Sequence, residues 1–225
     1  MLSGRKNISD YIYESIKEEF VSGGLEFGDK IVELDYCKKL NVSRTPLREA
    51  IKKLEIEGIV ERSLNGRIKI MDMDEKRIRE MAKIRMALED IILENVGKSD
   101  KLDEAIKELK ENLRFTKFQI ASKNWKEARK LFGKYNDILY EYSELEFTIK
   151  ILNSYTFILS KLRKKALTEN QRVKEAYEEH VTMIELLEKR KIQEAKELNR
   201  SHLYSSKSAI IKYFNNKKKL KINNE

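Results

Sequence analysis

Eight glycines and a single proline are spread over 225 residues, and that shortage of chain-reversing residues limits the fold more than any other feature. An all-β domain needs a turn signal every eight to twelve residues or so, and this chain cannot supply them. Long helices need few. Six of the glycines and the proline fall before residue 71; after it come only Gly97 and Gly133. The chain therefore divides near MDMDEK, residues 71–76, where Asp72 or Asp74 can cap the helix that follows. We expect a domain over residues 1–71 and a second, all-helical one over 72–225. The tail NNKKKLKINNE is expected to be frayed and solvated.

The first part reads as three helices and a hairpin. From Ile8 to about Ser22, Ile12, Ile16 and Phe20 recur at helical spacing. GGLEFGDKIV is a turn into a short strand, and Glu33 to Leu40 is a short helix closed by a left-handed Asn41. Ser43 is placed to cap a third helix with Pro46 in its first turn, carrying Leu47, Ile51 and Leu54 inward and stopping at Gly58. IVERSLNGRIKIM forms two alternating runs around Asn65-Gly66, a hairpin signal. This is the layout of a winged helix-turn-helix.

The second part carries five or six amphipathic helices, the makings of an antiparallel bundle. Met81, Ile84, Leu88 and Ile91 form one stripe; Leu102, Ile106, Leu109 and Leu113 form the next. Segments 125–142, 147–165, 173–188 and 192–214 supply the rest. Trp125, Tyr135, Tyr140 and Phe157 read as core rather than ligand-stacking residues. The fold class is thus mostly α, with a small β-hairpin wing.

In a helix-turn-helix the second helix enters the major groove, and its first turns reach base edges. Here those turns hold Ser43, Arg44, Thr45 and Arg48. Arginine matches guanine O6 and N7, while hydroxyls and a helix N-terminus suit phosphate. Residues 38–53 carry six cations against Glu49 alone, and the wing tip adds Asn65, Gly66 and Arg67. Bulk charge is a poorer guide. The chain is +9, yet residues 1–70 hold 13 basic and 12 acidic side chains, so the local cluster carries the inference. The competing reading is a winged-helix interaction scaffold with no sequence-specific DNA binding.

The segment VELDYCKKLNVSRTPLREAIKKLEIEGIVER resembles the winged-helix domain of the GntR family of bacterial transcription regulators. MAKIRMALED looks like the opening of the FCD domain, the helical effector domain of the FadR-like branch. The resemblance implies a cytoplasmic homodimer, most simply a repressor, on a pseudopalindromic DNA operator, controlled by a small molecule. Arg44 and Arg48 would read bases or phosphates, Thr45 would touch phosphate, and Gly66 would let the wing approach the minor groove. The wing SLNGRIKI is about a residue short of the commoner form and lacks its second glycine; Leu34 stands where some relatives carry arginine.

His180 and His202 lie 11 residues before and after Lys191. With a turn at Arg190-Lys191, equal offsets put both imidazoles at one height, about 16 Å from the turn. Many FCD domains bind a divalent metal through an Asp, a His four residues on, and two later histidines. His180 and His202 match the later pair. One register puts Phe132 and Asn136 at the earlier two positions, another Arg129 and Gly133. Neither supplies both ligands, so no tightly held metal is expected; His180 and His202, with Asn136, would hold a divalent metal weakly at best, and no cofactor is assigned. An effector carboxylate would instead use Arg85, from the R-x-x-L-E pattern, with Asn136, His180 and His202 as further donors. Arg85 can alternatively pair with Glu89 one turn on, at the helix surface.

Two histidines, one cysteine and no serine-nucleophile elbow leave little for an enzyme, and Cys37 alone excludes internal disulfides. No apolar run approaches a membrane span, and MLSGRKNISD lacks a signal-peptide core.

Overall fold

The computed structural model describes residues 7–166 and 170–222. They form two compact units, one running to Asp74 and taking in Phe157–Lys161, the other made of Glu75–Thr156 and the chain from Leu162.

In the first unit, α1 (Ile8–Ser22) buries Ile12, Ile16 and Phe20 completely. Its i+4 apolar spacing leaves one continuous stripe to cover. Asn7 caps it by accepting from Ser9 N at 3.3 Å, and Gly23 ends it at φ 100°, a left-handed turn that costs glycine little. A two-residue strand β1 (Lys30–Ile31) leads into α2 (Glu33–Leu40), which ends at Asn41 with φ 52°. α3 (Arg44–Ile56) packs Leu47, Ala50, Ile51 and Leu54 inward. Ser43 occupies the N-cap position, yet its side chain makes no capping bond. That leaves its hydroxyl and the helix start available at the surface.

β2 (Val60–Arg62) and β3 (Ile68–Ile70) form the wing, and β1 pairs with β3 to give an antiparallel sheet in the order β1-β3-β2. Ile31 faces Ile68 and Val60 faces Ile70, so the apolar residues share one side. The wing tip is a three-residue loop. Gly66 N donates to Ser63 O at 2.8 Å, Ser63 N donates to Arg67 O at 2.9 Å, and Gly66 takes the left-handed position at φ +78°.

Six further helices follow, α4 (Glu75–Lys98), α5 (Leu102–Ala121), α6 (Trp125–Ser143), α7 (Glu146–Ala166), α8 (Asn170–Glu188) and α9 (Ile192–Ile222), and apart from the Phe157–Lys161 stretch of α7 they make up the second unit. Three-residue turns join α5 to α6 and α8 to α9 as packed hairpins, and α4 lies along α9. Arg190, at φ 55°, makes the α8–α9 turn where the sequence places it. Part of the NNKKKLKINNE tail lies within the last helix. α9 runs to Ile222; residues 223–225 lie outside the described ones.

Leu102, Ile106, Leu109 and Leu113 are all in the core, with Tyr135, Ile138, Met183, Ile184 and Leu187. The α4 stripe is corrected. Met81 is buried, but Ile84 and Leu88 are only half-buried and Ile91 is 49% exposed. The inward face passes instead through Ile78, Met81, Glu89, Ile92, Leu93 and Val96. A count of apolar residues misses that face because it holds a charged pair.

Candidate functional site

Ser43, Arg44, Thr45 and Arg48 are all solvent-exposed on the first turns of α3. Their availability differs. Arg48 is held by Glu33 of α2, with Nε donating to Oε2 at 3.0 Å and Nη2 lying 2.9 Å from the same oxygen. The Glu33 hydrogen bond, then its charge, raise the Arg48 pKa further. Lys39 pairs with Glu19 at 2.6 Å, and Lys53 pairs with Asp10. Arg44, Lys38 and Lys52 have no ion-pair partner among the described residues. At the wing tip, Asn65 Oδ1 accepts from Ser63 Oγ at 2.7 Å and Arg67 N at 3.3 Å, which stiffens the loop. Gly66 and Arg67 are exposed, and so is the neighbouring Leu64. A rigid, cation-bearing helix start and wing in one unit can grip a polyanion.

A cavity inside the second unit collects the other four candidates. Arg85 from α4, Phe132 and Asn136 from α6, Ala176 and His180 from α8, and His202 and Ser206 from α9 line a space of about 20 Å³. That is room for about one water. The two imidazole centroids are 4.9 Å apart, as equal offsets from the hairpin turn require. Tyr135 stacks on His180 at 4.1 Å with rings 3° from parallel, and Phe132 meets the same imidazole edge-on at 5.1 Å.

Charge is arranged in two clusters, one buried and one partly buried. Arg85 does pair with Glu89, but inside the bundle: Nε to Oε1 is 2.6 Å, with side chains 11% and 7% exposed. Glu89 also accepts from Tyr140 Oη at 3.1 Å and Asn199 Nδ2 at 2.9 Å. In the second cluster Arg172 grips Glu179 with both terminal nitrogens, at 3.0 and 2.8 Å. His202 Nδ1 lies 2.5 Å from Glu179 Oε2. Burial would raise the Glu179 carboxyl, but hydrogen bonds from His202 and Arg172 outweigh it and hold the pKa at about 2. Burial pushes His202 below its ordinary value, against the opposing pull of Glu179. A neutral His202 therefore carries its proton on Nδ1, donated to Glu179, which assigns Nε2 as an acceptor. Arg172 Nη2, 3.3 Å from that same Nδ1, is then a packing neighbour rather than its donor.

Arg172, Glu179, Tyr140, Asn199 and Ser206 are the participants that sequence reasoning missed. Two had a local signal: Glu179 precedes His180, and Asn199 stands one turn before His202. Tyr140 and Tyr135 are buried as expected; Tyr140 donates to Glu89 and the Tyr135 ring stacks on His180.

The metal suggested by the FCD resemblance does not fit these residues. In one register Phe132 puts an apolar ring at the first expected ligand position and Asn136 a neutral amide at the second; in the other Arg129 and Gly133 stand there, and neither of those lines the cavity. Among the described residues no group of three or more His, Cys, Asp or Glu side chains is placed to hold a metal. A divalent transition metal needs three or four protein donors.

A three-helix unit with a wing, joined in one chain to a helical bundle enclosing a polar cavity, is the architecture of a DNA-binding regulator. Residues 8–70 match the model for bacterial regulatory proteins of the gntR family, and residues 80–205 match the FCD domain. The chain belongs to the GntR family of transcription regulators, in the branch that carries an FCD domain. This is a family of regulators, not of enzymes. The chain is 26% identical over 190 residues to YdhC of Bacillus subtilis (strain 168), an HTH-type transcriptional regulator, covering 82% of this chain and 83% of that one. It is 27% identical over 171 residues to the gluconate operon transcriptional repressor of Bacillus licheniformis, covering 73% and 66%. Solved structures share the fold at low identity. A GntR regulator from Rhodococcus sp. RHA1 gives a TM-score of 0.69 at 17% identity over 90% of this chain and 97% of its own. McbR/YncC of E. coli gives 0.68 at 14%, over 92% and 99%. No helix among the described residues is long and apolar enough to cross a membrane.

Proposed function

We propose that this chain is a homodimeric, cytoplasmic repressor that binds a pseudopalindromic operator through residues 1–71 and senses a small organic acid through residues 72–225. Ser43, Arg44, Thr45 and Arg48 would enter the major groove, with Asn65, Gly66 and Arg67 on the adjoining backbone or minor groove. A two-fold protein matches two half-sites about one DNA turn apart. Repression is supported by the name of the gluconate operon relative.

The observation that carries the DNA reading is the exposed guanidinium of Arg44, with no ion-pair partner among the described residues, on a helix start whose cap hydroxyl is unused. The effector reading rests on the convergence of Arg85, Asn136, His180 and His202 on one cavity. Ligand pockets occupy some hundreds of Å³, so an effector must select a state in which this cavity is larger than its present 20 Å³ or so. The response is then a population shift: the ligand favours the expanded arrangement, and operator affinity follows the arrangement.

The test is operator affinity after selection of the preferred duplex. Arg44→Ala should weaken specific binding about 5- to 150-fold, corresponding to about 1–3 kcal/mol for a lost base contact. Lys52→Ala should weaken all duplexes alike and flatten the salt dependence. Unchanged affinity in both Arg44→Ala and Arg48→Ala would overturn the reading. Low affinity for every duplex, insensitive to salt, would favour the scaffold alternative.

A further inference from the structure

We propose that the cavity in the helical unit is a metal-free version of the site its family resemblance implies. His180 and His202 serve as hydrogen-bonding walls for an organic ligand, and Arg85 supplies the positive charge. This rests on the reading of the second unit as an effector domain and narrows it.

The donor set comes first. The cavity wall offers two imidazoles, one amide, one hydroxyl and one guanidinium, and no carboxylate. An aromatic edge, that of Phe132, meets His180 at 5.1 Å, where a metal site would need a further ligand. Charge comes second. The nearby carboxylates are already engaged, Glu89 by Arg85, Tyr140 and Asn199, and Glu179 by Arg172 and His202. A dication entering the cavity would find Glu89 already neutralised by Arg85, Glu179 already held by Arg172 and His202, and no free carboxylate in the wall to replace its water. Dehydrating a dication there is costly without such compensation.

Orientation comes third. Glu179 fixes His202 with Nδ1 donating, so Nε2 accepts. Carboxylates orient metal-bound imidazoles in the same way, so the wiring alone suits either a metal or a ligand hydroxyl. The ligand count decides between them, and here it falls short. His180 is fixed by different means, its ring stacked flat on Tyr135. The result is a preorganised pair of imidazoles beside a guanidinium. That combination takes a carboxylate on Arg85 and hydroxyl or amide groups on the imidazole and Asn136 sides.

The probes are Zn²⁺ and Ni²⁺ alone, added to the full chain after purification in chelator. Elemental analysis after desalting should find only traces of metal in the wild type. Its melting temperature should not respond to one equivalent of either ion. The double variant Phe132→Asp, Asn136→His restores the two missing ligands; it should retain about one metal per chain and melt higher when loaded. Wild type that keeps one equivalent, and loses it on His180→Ala, overturns the proposal. So does a folded double variant that refuses metal, because the missing ligands would then not be the cause. If the double variant does not fold, a Ni²⁺ absorption titration of the wild type decides: no saturable ligand-field band supports the proposal, and saturation at one equivalent refutes it. Metal binding by a wild type whose operator complex still responds to carboxylates would sink this inference and leave the effector reading standing. An operator complex indifferent to every small molecule would sink the effector reading instead.

Discussion

Glu89→Ala is the substitution whose cost follows most directly from the structure. Glu89 is 6% exposed and accepts from Arg85, Tyr140 and Asn199. Removing the carboxylate leaves the Arg85 guanidinium, 11% exposed, without its counter-ion. Breaking one side of a buried pair costs about 3–5 kcal/mol, because the surviving charge stays desolvated. Tyr140 and Asn199 each lose an acceptor as well, a penalty of about 1–3 kcal/mol apiece, reduced where water fills the space. We therefore expect at least about 3–5 kcal/mol in total, a large part of a domain's net stability. Glu89→Gln keeps the shape and one acceptor but not the charge, and should cost about 1.5–3 kcal/mol. The double variant Arg85→Met, Glu89→Leu removes both charges and should be more stable than Glu89→Ala, since apolar replacements of buried pairs are often near neutral. The assay is urea denaturation followed by the fluorescence of Trp125, the only tryptophan, which packs against the Ala128–Phe132 cluster of the bundle. A cost under about 1 kcal/mol for Glu89→Ala, or strict additivity in the double-mutant cycle, would refute a charged, coupled Arg85–Glu89 pair.

The His202 pKa is lowered chiefly by burial, in a setting that also includes Glu179, Arg172 and Arg85. Below the ordinary histidine value of about 6.5 the unfolded chain takes up a proton that the folded chain resists. Stability should hold above that pH and fall as pH drops through and below it. His202→Gln should flatten the slope; a variant as pH-sensitive as wild type would rule out this assignment. Glu179, held at about 2, adds its own loss as pH falls from the ordinary carboxyl value of 4.5 down to about 2. Gly97→Ala would place a methyl 2.6 Å from Ile192 Cγ1, where α4 packs on α9. Overpacking of about 1–3 kcal/mol should outweigh the gain in helix propensity of about 1 kcal/mol. A melting temperature equal to or above wild type would show that Ile192 yields freely.

What the sequence settled by itself is what helix and turn geometry make local. The limits of α1 and α2, the left-handed Asn41, the hairpin at Asn65-Gly66 and the turn at Arg190 depend on residues a few positions apart. The meeting of His180 and His202 belongs here too: a fixed rise per residue on both arms of a hairpin puts equal offsets at equal heights. Tertiary packing decided the rest, because long-range partners leave no trace in local periodicity. Glu89 finds Tyr140 and Asn199 at sequence separations of 51 and 110. Those partners are what draw a charged pair inward and turn α4 away from the stripe its apolar residues suggest. Arg48 and Arg44 look alike on the helix, and only the approach of Glu33 from α2 distinguishes them. The cavity is legible only in part. Its histidines follow from pitch, but its size and the anchoring of His202 by Glu179 and Arg172 depend on how closely α4, α6, α8 and α9 pack, and interhelical distance is set by side chains meeting across the bundle.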